Sequence, residues 1–244
     1  MAFEPFFHFM REIQGKLNNG GFGTVYGSQN AQQIAYIRNL QKEKKRSDVL
    51  YVPLHQLKVV VFDIETTGFF PQKGDEIISM GAIKVCGEEI QEDQQFYSLI
   101  RYEKELSPEI MNLTGITNDQ LKVAPSISEV LIQFFEFVEN ETLVAHHANH
   151  EKSFLQSATR KVFRVPFHQR IVDASFLYRI AEPNLKIVRL EEFCDHNELP
   201  IVNRHHALGD ARLTAKLWSI YIQKVRALGC ETMRDVYERI ARMK

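Results

Sequence analysis

Apolar positions recur along this chain with two periods. VVVFD (59–63) is a short β-branched run bounded by turn residues, which reads as a buried strand. EIISMGAIKV (76–85) and QQFYSLI (94–100) are two more extended stretches, joined through a turn at Gly87. ETLVAH (141–146) and RIVDAS (170–175) bring the predicted strands to five. Between and after them the period becomes helical. LSPEIMNLTG (106–115) has Ser107 as N-cap and Pro108 in the first turn, and SISEVLIQFFEFVEN (126–140) opens with a capping box from Ser126 and Glu129. EKSFLQSATRKVF (151–163), LEEFCDHNEL (190–199), HALGDARLTAKLWSIYIQKVRAL (206–228) and ETMRDVYERIARMK (231–244) are the remaining predicted helices. Strands alternating with helices predict an α/β fold whose mixed five-stranded sheet is covered on both faces. Phe134, Phe135 and Phe137 fall on one such helix and read as core.

Residues 1–57 break this pattern. NNGGFGTVYGSQN (18–30) has loop composition, AQQIAYIRNLQKEKKRSD (31–48) reads as a helix with a basic end, and VLYVPLHQL (49–57) as a short extended piece broken by Pro53. The expectation is an N-terminal extension over 1–57, a main domain over 58–225 and a C-terminal helix over 226–244. GGFGTVYG (20–27) has the look of a kinase phosphate loop, but no matching lysine strand, HRD or DFG segment follows, so a turn is the better reading.

Composition adds bounds. The 244 residues are 44% hydrophobic and 25% charged, ordinary globular proportions, and the net charge of -1 does not announce a nucleic-acid binder. No apolar run reaches the ~20 residues a membrane span needs, so no membrane partner is expected. Cys86, Cys194 and Cys230 form no CxxC pair, and the aromatic N-terminus has Glu4 and no basic start, so a reduced, cytoplasmic protein is expected.

The chemistry concentrates in three segments. In FDIETTG (62–68), Asp63 and Glu65 are two apart on a strand and share a face. Paired carboxylates repel unless a cation sits between them, and hard oxygen ligands suit Mg²⁺ or Mn²⁺. The competing reading is a solvated strand end. In HHALGDARLTAKLW (205–218), Asp210 lies in the first turns of a long helix and His205 precedes it by five positions, a metal ligand and a mobile base. The competing reading is a helix cap with surface histidines. LVAHHANHE (143–151) holds His146, His147 and His150 beside Glu151 at spacings that would also suit zinc on a helix face. That stretch lies at a strand-to-helix junction, however, and no second ligand pair is evident. Asp173, at the end of the fifth strand, reads as a helix cap.

Taken in order, these segments resemble the DEDDh, DnaQ-like exonucleases, including the DNA polymerase III epsilon-type proofreading enzymes. FDIETTG is similar to that family's first motif, LSPEIMNLTGITNDQL to its connecting segment, and RLEEFCDHNELP followed by HHALGDA to its third. LVAHHANHEKSFL takes the place of the second motif, normally H-N-x-x-F-D, with His147, His150 and Glu151 where the asparagine, phenylalanine and aspartate are expected. The resemblance runs from about Lys58 to about Tyr221. It implies a ribonuclease-H-like fold and a 3′–5′ exonuclease that releases nucleoside 5′-monophosphates. It also implies two divalent cations, Mg²⁺ or Mn²⁺, on Asp63, Glu65, Asp210 and Glu151, with His205 as general base. Thr66, Thr67, Gly68 and His146 would contact the terminal nucleotide. Single-stranded or 3′-terminal DNA is the implied substrate, with RNA left open, and a DNA polymerase is a candidate partner. The altered second motif supports an alternative, a weakened nuclease fold kept as a nucleic-acid or polymerase-binding module.

Overall fold

A computed structural model describes residues 49–243; the glycine-rich stretch and the basic helix expected over 18–48 lie outside the described residues. Five strands form one sheet: β1 (Lys58–Thr66), β2 (Ile77–Cys86), β3 (Glu89–Leu99), β4 (Thr142–Ala145) and β5 (Ile171–Asp173). Their order is β3-β2-β1-β4-β5, with β1–β2 and β2–β3 antiparallel and β1–β4 and β4–β5 parallel. The antiparallel half is a meander and the parallel half needs helical crossovers.

The helices are α1 (Pro108–Thr114), α2 (Asn118–Val123), α3 (Ile127–Val138), α4 (Asn149–Phe163), α5 (Ser175–Ala181), α6 (Leu190–His196), α7 (Ala207–Ala227) and α8 (Met233–Arg242). They pack on both faces of the sheet, as the α/β pattern predicts. Alternation along β1 sorts its side chains. Val60, Phe62 and Ile64 enter a core with Phe134 and Phe135 of α3 and Phe154 of α4. Val59 and Val61 enter the opposite core with Leu213, Leu217, Trp218 and Tyr221 of α7. Asp63 and Glu65 continue the second row, so the strand's pleat delivers both carboxylates to the α7 side. Trp218 is fully buried, and its truncation to alanine would cost about 3–5 kcal/mol.

Several boundaries differ from the sequence pattern. β1 runs on through Thr66, so Asp63 lies inside the strand and not at its end. β3 begins at Glu89, ahead of QQFYSLI, because it is an edge strand whose largely exposed EIQEDQQ half carries no apolar alternation to reveal it. β5 is only three residues long, and SFLYRIA, taken in part as strand, turns into α5 once Asp173 accepts the Ser175 amide at 2.9 Å. α2 is a further short helix, set by a capping box between Thr117 and Gln120. VLYVPLHQL is not extended; it makes two single 3-10 turns, Val49–Tyr51 and Leu54–Gln56. Leu54 and Leu57 enter the same core as Met233 and Val236 of α8, and the Leu54 amide donates to the Glu231 carbonyl at 2.8 Å. Among the described residues no helix is long and apolar enough to cross a membrane.

Candidate active site

Asp63 and Glu65 reach the site from β1, Asp210 from the first turns of α7. One carboxylate oxygen from each lies within 4.8 Å of the other two, the only such cluster of potential metal ligands among the described residues. Glu65 and Asp210 are buried and Asp63 is partly so. Burial holds the Asp63 carboxyl well above the usual range, with repulsion from Glu65, Asp210 and Glu151 adding to it. Burial, then Asp210, pushes Glu65 up to about 7, and burial pushes Asp210 up to about 6 against the pull of Arg204. Asp210 Oδ2 takes hydrogen bonds from Arg204 and, at 3.2 Å, from the His205 amide; its buried Oδ1 has no hydrogen-bond partner among the described residues.

Glu151, in the first turn of α4, stands outside that three-carboxylate group, yet its charge reaches Asp63. It is 4% exposed, its Oε2 has no hydrogen-bond partner among the described residues, and burial pushes its carboxyl up to about 8. A buried carboxylate with an orphaned oxygen is costly as an anion unless a cation or proton joins it. Four acids arranged in this way, with oxygen donors only, fit a hard divalent cation.

The two neighbouring histidines of the third motif have different surroundings. His206 is the N-cap of α7, its Nδ1 accepting the Gly209 amide at 3.4 Å, and its ring stacks on Tyr97 at 4.4 Å. His205 keeps a half-buried ring beside the acids, lowered in pKa by burial and then by Arg204, and therefore available as a neutral base. Its backbone is left-handed at φ +61°, an uncommon conformation for a side chain with a Cβ. His147 shares that property at φ +59°.

The other histidines do not gather into a metal-ligand group. Nε2 of His146 and of His147 both meet the Val188 carbonyl, at 3.1 and 2.8 Å, while the His150 ring lies 4.8 Å from Phe154 and 6.1 Å from Phe69. Burial, then His147, lowers His146 to about 4, so it is a neutral ring. His146, His147 and Asp63 line a cleft of about 300 Å³ with Glu191 and Arg204. The turn after Glu65 is tied to itself. Thr66 donates its hydroxyl to the Gly68 carbonyl at 2.7 Å, and Thr67 pairs with Glu76 through its amide and its hydroxyl, both at 3.0 Å. A Cβ on Gly68 would fall 2.4 Å from the Asp75 carboxylate, so a side chain there would have to displace that acid. Sequence reasoning missed Arg204 and Glu191. The available signal was general: buried acids need a counter-charge, and an arginine adjoins the proposed base.

A family model described as Exonuclease (RNase_T) matches residues 60–218, which takes in the two β1 carboxylates and the α7 acid. The chain belongs to this exonuclease family. Among its relatives, the PolC-type DNA polymerase III of Thermotoga maritima is 32% identical over 200 residues, covering 82% of this chain and 14% of that protein. The PolC-type polymerase of Bacillus subtilis is 35% identical over 165 residues, covering 67% and 11%. The exonuclease chain thus spans only a small part of the length of these relatives. Solved structures share the fold: the nuclease domain of 3′hExo, a DEDDh family member bound to rAMP, at TM-score 0.59 and 19% identity over 72% of this chain and 94% of that one. E. coli Exonuclease I with a dT13 oligonucleotide follows at TM-score 0.62 and 16% identity over 71% and 43%. Exonuclease X with 5′ overhanging duplex DNA gives 0.54 and 22% over 74% and 98%. The exonuclease is therefore a DnaQ-like nuclease on a ribonuclease-H-like sheet, as its motifs implied.

Proposed function

We propose that this exonuclease removes nucleotides from the 3′ end of a DNA strand with the help of two divalent cations, Mg²⁺ or Mn²⁺. The observation that carries the reading is the buried meeting of Asp63, Glu65 and Asp210 within 4.8 Å beside His205. Asp63, Glu65 and Asp210 would hold the cations, with Glu151 adding its charge to the surroundings of Asp63. Bound there, the cations supply charge to the scissile phosphate and acidify a water. The chain's own part is to orient and to move a proton. His205, neutral at physiological pH, accepts the proton of the attacking water. Asp63 and Glu65, fixed on a central strand, set the position of the phosphorus against that base. The turn at Thr66, Thr67 and Gly68, together with His146, which lines the cleft, would border the terminal nucleotide. The product is a nucleoside 5′-monophosphate.

Two features favour DNA and a replication setting. The similar sequences are PolC-type polymerases, and E. coli Exonuclease I and Exonuclease X have structures in complex with DNA. RNA is the second substrate to test, since 3′hExo was solved with rAMP. A polymerase is the partner we infer, with proofreading of its 3′ ends as the role.

The test is digestion of 5′-labelled single-stranded DNA and RNA with Mg²⁺ or Mn²⁺ by wild type, Asp63→Ala and Glu151→Asp. A ladder of shortened products from wild type, absent in Asp63→Ala, is the expected result. No shortening by wild type with either metal, and a gain only in Glu151→Asp, would transfer the reading to a binding module.

A further inference from the structure

One guanidinium nitrogen of Arg204 meets two groups that the proposed chemistry needs. Nη1 donates to Asp210 Oδ2, and it lies 3.4 Å from Nδ1 of His205. A guanidinium only donates, so at His205 it occupies a ring lone pair that a base would use. The rest of the fork is held elsewhere: Nη2 and Nε reach Glu191 Oε2 at 3.0 and 3.4 Å. The arginine side chain is 27% exposed against 4% for Asp210, and Arg204, Glu191 and Asp63 line one cleft.

We propose that Arg204 is a phosphate-binding residue of this site, parked on Asp210 until a divalent cation loads, and that loading turns Nη1 from Asp210 and His205 toward the substrate phosphate. The proposal rests on the metal-dependent reading given above. A dication held by Asp63, Glu65 and Asp210 and a guanidinium on the same Asp210 carboxylate are like charges a few ångströms apart. The dication also has Asp63 and Glu65, whereas Arg204 has a second anion of its own in Glu191. Displacement therefore swings the planar fork as a unit, pivoting on the Glu191 carboxylate, so that Nη1 enters the cleft and the Nε contact changes with it. A planar guanidinium suits a phosphate there better than an ammonium would. The same movement releases the second oxygen of Asp210 and frees a nitrogen of the base, so the site becomes competent only when the cation is present.

Calorimetric titration of Mg²⁺ alone into wild type, Arg204→Gln and Asp63→Asn tests this, followed by titration of a nucleoside 5′-monophosphate into the Mg²⁺-saturated proteins. Losing a charge-assisted hydrogen bond that competes with the cation should tighten Mg²⁺ binding in Arg204→Gln by about tenfold. Monophosphate binding should weaken in the same variant by a similar factor. Wild type that binds Mg²⁺, Asp63→Asn that does not, and Arg204→Gln with unchanged or weaker affinity would overturn the inference and leave the metal site standing. Absence of Mg²⁺ binding in all three proteins would remove the metal site and the inference together. Wild type gives an independent reading should the glutamine variant misfold: its Arg204 Nε–H resonance must shift on saturation with Mg²⁺, and a resonance that stays in place sinks the idea.

Discussion

Gly81 stands directly opposite Asp63 in the β1–β2 register, and a Cβ on Gly81 would fall 2.2 Å from the backbone nitrogen of Leu208. The first turn of α7 therefore rests on the sheet where the partner strand has no side chain. That contact sets how closely Asp210, two residues further on, approaches Asp63. Gly81→Ala meets backbone and not a flexible side chain, so α7 must lift. The expected cost is about 1–3 kcal/mol in denaturant unfolding, as for other overpacked cores. Nuclease activity should fall further than the lost stability explains at temperatures where the variant is fully folded. Unchanged activity in a folded Gly81→Ala would separate the α7 contact from the geometry of the acids.

His205 and His206 are adjacent and should behave differently. His205→Ala should retain its melting temperature within a few degrees and lose roughly 10²–10⁴ in kcat, the usual contribution of a general base. His206→Ala loses the helix cap and the stack on Tyr97. It should cost about 1 kcal/mol of stability, with a smaller effect on rate. Melting curves and single-turnover rates on the two variants distinguish these outcomes, and reversed results would assign the base to His206.

Most of the site was legible in the sequence because its parts follow simple periods. Asp63 and Glu65 share a face through strand alternation, and Asp210 with His205 falls at the start of an evident helix. What was not legible depends on tertiary contact. Gly81 looks like any strand glycine until α7 is seen against it. Arg204 and Glu191 are thirteen residues apart and meet only because α6 and the loop before α7 converge. The short helices α2 and α5 are too brief for periodicity, and only local hydrogen bonds, the Thr117 capping box and the Asp173–Ser175 contact, mark their starts. The edge strand β3 hid half its length because exposure removes the apolar alternation that announces a strand.

The acid cluster should give the metal-free protein an unusual pH dependence. Glu65, Asp210 and Glu151 are raised by burial to about 7, 6 and 8. In the unfolded chain such groups titrate near 4. A carboxyl raised on folding stabilises fully below its unfolded value, and that stability is lost as pH rises through the folded values. In chelator, the melting temperature should therefore fall between pH 6 and pH 8, and Glu65→Gln should flatten the slope. Saturating Mg²⁺ should stabilise more at pH 8 than at pH 6, since the cation binds the anionic acids. A chelated protein whose stability rises across that interval, with no change in Glu65→Gln, would contradict the charges assigned to the cluster.

Glu151 offers the most direct measure of what the altered second motif does. Burial holds it mostly protonated at neutral pH without metal, so Glu151→Gln keeps its shape and its dominant charge state. In chelator at pH 6.5 the variant should melt within a few degrees of wild type, and at pH 9 it should be the more stable protein, because the buried anion is gone. With Mg²⁺ present the order should invert in activity: an amide brings no negative charge to the cation, and kcat should fall at least about tenfold, the loss of one charge-assisted contact. Glu151→Asp retracts the carboxylate from a place where the glutamate, 4% exposed, is closely surrounded, so it opens a small void while keeping the charge. Its rates with Mg²⁺ and with Mn²⁺ decide the matter. A gain with Mg²⁺ alone means that the longer arm relaxes the demand for ideal octahedral geometry at the expense of speed. Equal loss with both metals means that the surrounding core has adapted to glutamate and that this length is the working one.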